Sequence, residues 1–573
     1  MRSFLLILFL LVLFSPQRDG QIIPDQDQAF GCAPPSALRE IPRDANGRFA
    51  PVFPGWGHYS YKIATGNDSA QFFFDQGLNL YYSYHLTEAL ASFKEAARHD
   101  SSCLMAYWGQ ALSLGPYYNG YYYKMPATVI PVMERMDRLA SAATGKEKEL
   151  VEVMKRRYSA DTSDGRRKEL NRAYAEGLAG LVQQYPADVD LKALYVDAVM
   201  LEHTWDFWNN DGTPKPWTME LVSYCDEILK IQPSHPAALH YQIHLVEASL
   251  HPEKALHSAD VLQTAMPGVA HMVHMSSHMY QRNGLYTKGI EVNDKASKLA
   301  VEYDTMARNL KLGLFGLTHY DAVGAYCALN ANMYGEALRS ANHLRTILGG
   351  MYKARLNNPF FQYLYMMPMF VYVRTGKWKM AMEDPAPDSN QHYACLVSEF
   401  GKGMASVRLH NLKAASLHLE RLRDLMRDSL LAVRIMPFNA PLSGARVAEA
   451  ILAGELCYAQ GRHDEAVRWL EQGVSMENAM IYREPKDWFI PVRHYLGAIL
   501  LKLGRAAEAE KVYREDLVHN PGNGWSHLGL ARSIDAQPKY NGSERYSKEA
   551  MSSFAGYMRA FSKAEEIPSA SVY

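Results

Sequence analysis

From about residue 66 onward the apolar positions recur every three to four residues, the period of one buried helix face, and strand-like alternation is scarce. The periodicity comes in paired blocks. In the C-terminal part Leu496-Gly497 and Leu500 mark a first helix, Ala509 and Tyr513 a second, and Pro521 closes the unit. Gly454, Ala466 and Leu470 mark the unit before it, and Gly77, Leu80, Ala89, Phe93 and Ala96 mark one near the start. In the middle, Pro233 and Pro267 are 34 residues apart, as are Ala255 and Gly289, and looser units centre on Ala193, Ala337 and Ala415. Small residues at fixed places let two helices approach closely, while large ones fill the gap that remains.

A 34-residue helix–turn–helix period is that of the tetratricopeptide repeat. The predicted fold is therefore all-α: a tetratricopeptide-like α-solenoid, a superhelix of antiparallel helix pairs, roughly eight to eleven of them, over residues 66–535. Residues 21–65 read as an irregular N-terminal extension, and 536–573 as a polar, Ser-rich C-terminal tail. Insertions at about 204–216 and 482–490 interrupt the array. Such insertions collect on one rim of a solenoid, often the binding side. Trp205-Asp206-Phe207-Trp208 in the first reads more readily as a hydrophobic plug than as a lid. The run Glu484 to Trp488, with Arg493 and His494, has the same two readings. His494 shares the helix phase of the histidines described next, but lies several repeats away, so only a strong curl would bring it near them.

Two histidine pairs stand in register across this pattern. His240 and His244 form one His-x₃-His pair, His274 and His278 another, and each residue of the first lies 34 before its counterpart. In repeat phase His240, His244 and Glu247 take positions 5, 9 and 12, and His271, His274 and His278 take positions 2, 5 and 9 of the next unit. These positions form one helix face, about 130° from the face that packs inside the repeat. First helices line the concave surface of such solenoids, so the six side chains are expected to converge in its groove. His319 takes the phase of His271 in a later unit. An i, i+4 pair puts its side chains roughly 5–6 Å apart, neighbouring helices pack roughly 8–10 Å apart, and zinc–imidazole bonds are about 2.0–2.1 Å. Two such pairs on facing helices can close around a metal ion. Residues 240–278 hold seven histidines, about five times the chain average. His251, before Pro252, and His257, on a second helix, are expected at the surface. Met272, Met275 and Met279 fall on other phases and read as core. No His-Glu-x-x-His motif is present, since Tyr241 follows His240, which disfavours zinc-protease chemistry.

Bulk properties narrow the class. Sixty basic and 61 acidic residues give a net charge of −1, which points to no nucleic-acid partner. Met1-Arg2-Ser3 followed by an apolar run from Phe4 to Phe14 has the build of an export signal within residues 1–20, and is too short to span a bilayer by itself. No later segment reads as membrane-spanning. The expected location is outside the cytoplasm: periplasmic, cell-surface or secreted. Six cysteines lie 62 or more residues apart without a C-x-x-C pair. They read as isolated thiols on apolar helix faces rather than a disulfide framework.

Several stretches carry a resemblance: Phe74-Asp75-Gln76-Gly77-Leu78, Ala106-Tyr107-Trp108-Gly109, His240 to Ser249, His271 to His278, Arg493 to Leu500, and Pro521 to Trp525. On these, residues 66–535 resemble a family of bacterial tetratricopeptide-repeat proteins with predicted export signals. The resemblance implies the all-helical repeat fold and, since that family has no established activity, no substrate. Its members often carry a second histidine three residues after the one matching His319. This chain has Ala322 there, which weighs against a two-metal centre.

The sequence thus supports an exported repeat protein holding a transition metal through His240, His244, His274 and His278, joined by His271, Glu247 and His319. Imidazole-rich ligation suits zinc, copper, iron or nickel without choosing among them. The competing class is a metal-free scaffold whose groove takes a peptide or a partner protein. No residue pattern establishes catalysis.

Overall fold

The computed structural model describes residues 40–573 except 121–122, 308–309, 311–314, 435–437 and 539–543. The expected signal segment and Cys32 lie outside the described residues. Among the described residues there are 25 α-helices and, in place of any strand, one isolated bridge between Trp208 and Pro214. Successive helices pack against each other and each pair packs on the next, which is the tetratricopeptide-like α-solenoid. The helices outnumber those of eight to eleven pairs partly because one is split: Pro359–Tyr365 and Met367–Arg374 are separated at Met366, with Pro368 in the first turn of the second piece. No described helix is long and apolar enough to cross a membrane. Five cysteines are free thiols, four of them buried.

Two local devices repeat along the chain. The first is a turn that ends a first helix with one residue in the left-handed region. The next N–H then bonds five residues back, as from Leu285 to Tyr280 O (2.8 Å) and from Arg462 to Cys457 O (2.9 Å). Gly284, Gly376, Gly461 and Gly504 fill the left-handed place with φ of 69–77°, as expected for a residue without a Cβ. Tyr84 fills the same place in the first pair, with φ 59°, where a side chain costs about 1–2 kcal/mol.

The second device is an aromatic ring clasped between two glycines of neighbouring first helices. An added Cβ on Gly77 or Gly109 would meet the Phe93 ring at 2.8 and 2.4 Å, and one on Gly497 or Gly529 would meet the Tyr513 ring at 2.4 and 2.2 Å. The ring on the second helix thus sets how closely three helices approach.

The superhelix curls until distant repeats touch. The Arg282 guanidinium donates to His519 O (2.5 Å) and Ser249 O (2.7 Å), and Asn523 Nδ2 donates to Tyr286 Oη (3.2 Å). The segment read as a polar tail contains the helix Glu544–Ala560, packed on Gly524–Asp535. Its last residues reach back to first helices. Ser571 Oγ donates to His494 O (3.0 Å), and Arg408 Nε donates to Tyr573 O (2.6 Å). Two large apolar cores result, one over the N-terminal half and one over the C-terminal half, and they meet around Tyr286 to Tyr320. The helices Pro236–Val246, Ala270–Arg282 and Phe315–Asn330 lie side by side at that junction.

The clasp predicts that Gly497→Ala lowers stability by roughly 1–3 kcal/mol through overpacking against Tyr513, read by urea unfolding. Adding Tyr513→Leu should recover part of that loss. A Gly497→Ala chain as stable as the parent would mean that the ring does not set the helix spacing.

Candidate metal centre

The three junction helices carry the histidines on their facing sides: His240 and His244 on the first, His271, His274 and His278 on the second, His319 on the third. All six come together. The side-chain nitrogens of His240, His244 and His271 lie within 4.8 Å of one another, and so do those of His274, His278 and His319. A third group of the same tightness joins the two sets: His244, Glu247 and His278. Each of the seven residues that sequence phase placed on one face is therefore in the cluster.

The surroundings differ from an open groove. None of the six imidazoles is more than 6% exposed, and Glu247 is 1% exposed. The groove is roofed by the chain itself. Tyr84, pushed inward by its left-handed turn, lies 4.5 Å from the His240 ring and stacks on His244. Trp205 meets His244 edge-on at 5.9 Å and stacks on Tyr118. The first insertion is thus both plug and cover. Phe207 is buried and Trp208 Nε1 donates to Leu245 O (2.6 Å), while Trp205 closes over the histidines. The second insertion supplies Glu484, whose carboxylate reaches His278 Nδ1.

Hydrogen bonds orient the rings. A backbone carbonyl can only accept, so His240 Nδ1, 2.7 Å from Tyr82 O, carries the proton and turns the Nε2 lone pair inward. Asn293 Nδ2 donates to Gly289 O (2.7 Å), which leaves Oδ1 to accept from His274 Nδ1 at 2.6 Å. Glu247 spans the two sets, accepting from His244 Nδ1 (3.0 Å) and His278 Nδ1 (2.6 Å). Metal-bound histidines characteristically give their other N–H to such an acceptor.

One consequence is electrostatic. With both Nδ1 protons committed outward, the Nε2 atoms of His274 and His278 face each other at 3.0 Å, lone pair to lone pair. Something positive has to lie between them. It is either a proton, carried by a doubly protonated His278 whose Nδ1–H faces Glu247 and Glu484, or a metal ion. His240 and His271 bring their Nε2 atoms to 3.1 Å. The Nε2 atoms of His244 and His319 have no hydrogen-bond partner among the described residues.

Burial sets the protonation states. It drives the pKa values of His240, His244, His271, His274 and His319 well below the ordinary histidine range, with neighbouring histidines adding to the effect. These rings are neutral, the form that binds metal. Burial also raises Glu247, and pushes Glu484 up to about 7.

Other sequence expectations fall into place around the cluster. His251 and His257 are exposed, and Met272, Met275 and Met279 are fully buried core. Despite the curl, His494 stays apart. It pairs with Asp516 (Nε2 to Oδ2 3.3 Å) and contacts Arg374 (3.0 Å). The sequence reading missed Asn293, Tyr84 and the Tyr82 carbonyl, and it named Glu484 without linking it to the histidines. Asn293 left a signal, a polar residue on the helix face that carries Gly289 and Ala296. Glu484 stood in the second insertion, read as plug or lid, but no spacing tied it to the histidines, because only the curl brings it in.

No protein-family model and no curated protein matches the chain. Among solved structures it is similar to the Cut9–Hcn1 hetero-tetramer of the APC/C (12% identity, TM-score 0.27, covering 87% of this chain and 76% of that one). It is also similar to yeast Tom70 (14%, 0.28, 79% and 91%) and to human IFIT1 with m7Gppp-AAAA (10%, 0.31, 88% and 92%).

The protonation states predict how stability depends on pH. In the unfolded chain the histidines take up protons below about pH 6.5, while the five buried rings do not, so stability is full above that pH and falls as pH drops. Glu247 and Glu484 act the other way: their pKa values are raised in the fold, so each costs stability as pH rises from about 4.5 toward its folded value, about 7 for Glu484. Five groups outweigh two. Chelator-treated protein should therefore lose on the order of a few kcal/mol between pH 7 and pH 5 in urea titrations. Stability that is constant or rising over that interval would show the rings to be charged in the fold.

Proposed function

We propose that the protein binds transition-metal ions in the buried histidine chamber. The observation that carries this reading is the convergence of six buried imidazoles, four of them with one nitrogen tied to a fixed oxygen acceptor. His240, His244 and His271 would hold one ion and His274, His278 and His319 another, so the capacity is up to two per chain. Glu247 and Glu484 would orient histidines and balance charge. Three-histidine sets suit zinc, copper, iron or nickel, and each leaves positions open for an exogenous ligand. A metal held so would supply Lewis acidity or redox chemistry, sheltered by Trp205, Tyr84 and Tyr118.

The alternative of a metal-free peptide scaffold is less well supported. The face that would hold a peptide is covered over the histidines by the chain's own aromatics, and further along it the C-terminal residues reach first helices. We also propose, from the segment Met1 to Phe14, that the chain is exported. The mature N-terminus of natively produced protein should then lie beyond residue 14, and an intact Met1 in a cytoplasmic fraction would defeat that part of the reading.

Metal analysis of tag-free protein reconstituted in turn with zinc, copper, iron and nickel tests the main reading. One or two tightly held ions per chain are expected, and none in His240→Ala/His274→Ala. Glu247→Gln should keep the fold and weaken metal affinity about 10–100-fold, as expected for loss of an orienting acceptor. No retained ion with any of the four metals would end the proposal.

A further inference from the structure

A second cavity, of about 180 Å³, opens between the two insertions and shares Trp205 with the histidine chamber. Its lining is rich in unused hydrogen-bond donors. Trp205 Nε1, Tyr482 Oη, Trp488 Nε1 and Arg493 Nε are buried with no hydrogen-bond acceptor among the described residues. The charges there are also unbalanced. Each lining carboxylate already has a cation: Asp206 pairs with Lys215 (3.0 Å), Asp487 with Arg483 (3.1 Å), and Glu477 lies 4.0 Å from Arg493. Arg282 and Lys486 have no carboxylate at ion-pair distance among the described residues. Arg282 gives its protons to the carbonyls of Glu247, Ser249 and His519, and Lys486 Nζ meets the Asn520 amide oxygen (2.5 Å). Buried donors without acceptors are costly, and a cavity that collects them beside an excess of cations is built for a ligand that brings acceptors and negative charge.

The rest of the lining is apolar, with Trp208, Leu250 and Met480, the usual make-up of a small-molecule pocket. The lining carries four cations, Arg282, Arg483, Lys486 and Arg493, against three carboxylates, Asp206, Glu477 and Asp487, and an excess of one suits a single negative charge better than a phosphate dianion. We infer that this cavity binds a small organic carboxylate with a flat apolar body. Lys486, Arg493 and Tyr482 serve its oxygens, and the Trp205–Trp208 wall serves its body. Trp205 then stands between the bound anion and His244, so occupancy of the cavity and access to the chamber share one side chain.

The test uses full-length, chelator-treated protein, so that its outcome is independent of the metal reading. Benzoate is titrated against tryptophan fluorescence, with benzamide as the neutral isostere and inorganic phosphate as the rival anion. Saturable binding of benzoate is expected, with benzamide and phosphate each weaker by about tenfold or more. Lys486→Met should weaken benzoate by about tenfold, and Lys486→Arg should restore most of it. Should Lys486→Met fail to fold, Tyr482→Phe provides the same reading with a loss of about threefold. Absence of saturation, benzamide binding as tightly as benzoate, or phosphate binding more tightly would overturn the proposal, because water alone or a different anion would then fill the cavity.

Discussion

Dehydration of the imidazole cluster is the constraint on which the rest of this structure depends. Five of the six histidines withdrawn from water stay neutral, since a charged group in an apolar interior is costly unless it is paired, while the sixth, His278, lies against the carboxyls of Glu247 and Glu484. Neutral rings have one donor and one acceptor nitrogen each, so every ring needs an acceptor on one side. Tyr82 O, Asn293 Oδ1 and both oxygens of Glu247 meet that need for four of them. Those acceptors come from a turn, a second helix and a helix end, so the chamber is oriented from three directions. Turning the Nδ1 protons outward concentrates lone pairs inside. The Nε2 atoms of His274 and His278 meet there at 3.0 Å, a contact completed by a shared proton or by a metal ion in the chamber.

The fold meets this constraint by departing from its own repeat rules. Gly284, Gly376, Gly461 and Gly504 occupy the left-handed turn position without strain. Tyr84 takes it at a cost, and the consequence is an aromatic ring laid over His240 and His244. Trp205, also at positive φ (59°), closes the other side. Strained backbone persists only where the surroundings determine it, and it gathers at functional places. Of the four non-glycine residues in that conformation, Tyr84 and Trp205 lie against the same histidine, while Asn332 and His410 serve ordinary turns of other repeats.

Closure of the superhelix does the remaining work. Contacts such as Arg282 with His519 O and Tyr286 with Asn523 join residues about 237 positions apart. They carry the second insertion, with Glu484 and Lys486, and the adjoining Arg493 to the rim of the chamber. One curl thus delivers a carboxylate to His278 and cations to the adjoining cavity. The same Arg282 fixes both sides, because it donates to Glu247 O and lines the cavity.

Much of this was legible along the chain. Helix pairing followed from small and large residues at a 34-residue period. Phase within the repeat was enough to put His240, His244, Glu247, His271, His274, His278 and His319 on one inner surface, because helix geometry is local and repeats stack in order. Burial was not legible. The expected groove is a closed chamber, since Tyr84, Trp205 and Glu484 come from a turn and two insertions that have no period. Nor was Asn293 singled out, although its place on an apolar helix face marked it. His494 shows the limit from the other side: the right phase and a strong curl still leave it paired with Asp516, outside the cluster. Local periodicity determines which face a side chain takes. Only the closure of the superhelix, a sum of small rotations and non-repeating contacts, decides what meets that face and whether water reaches it.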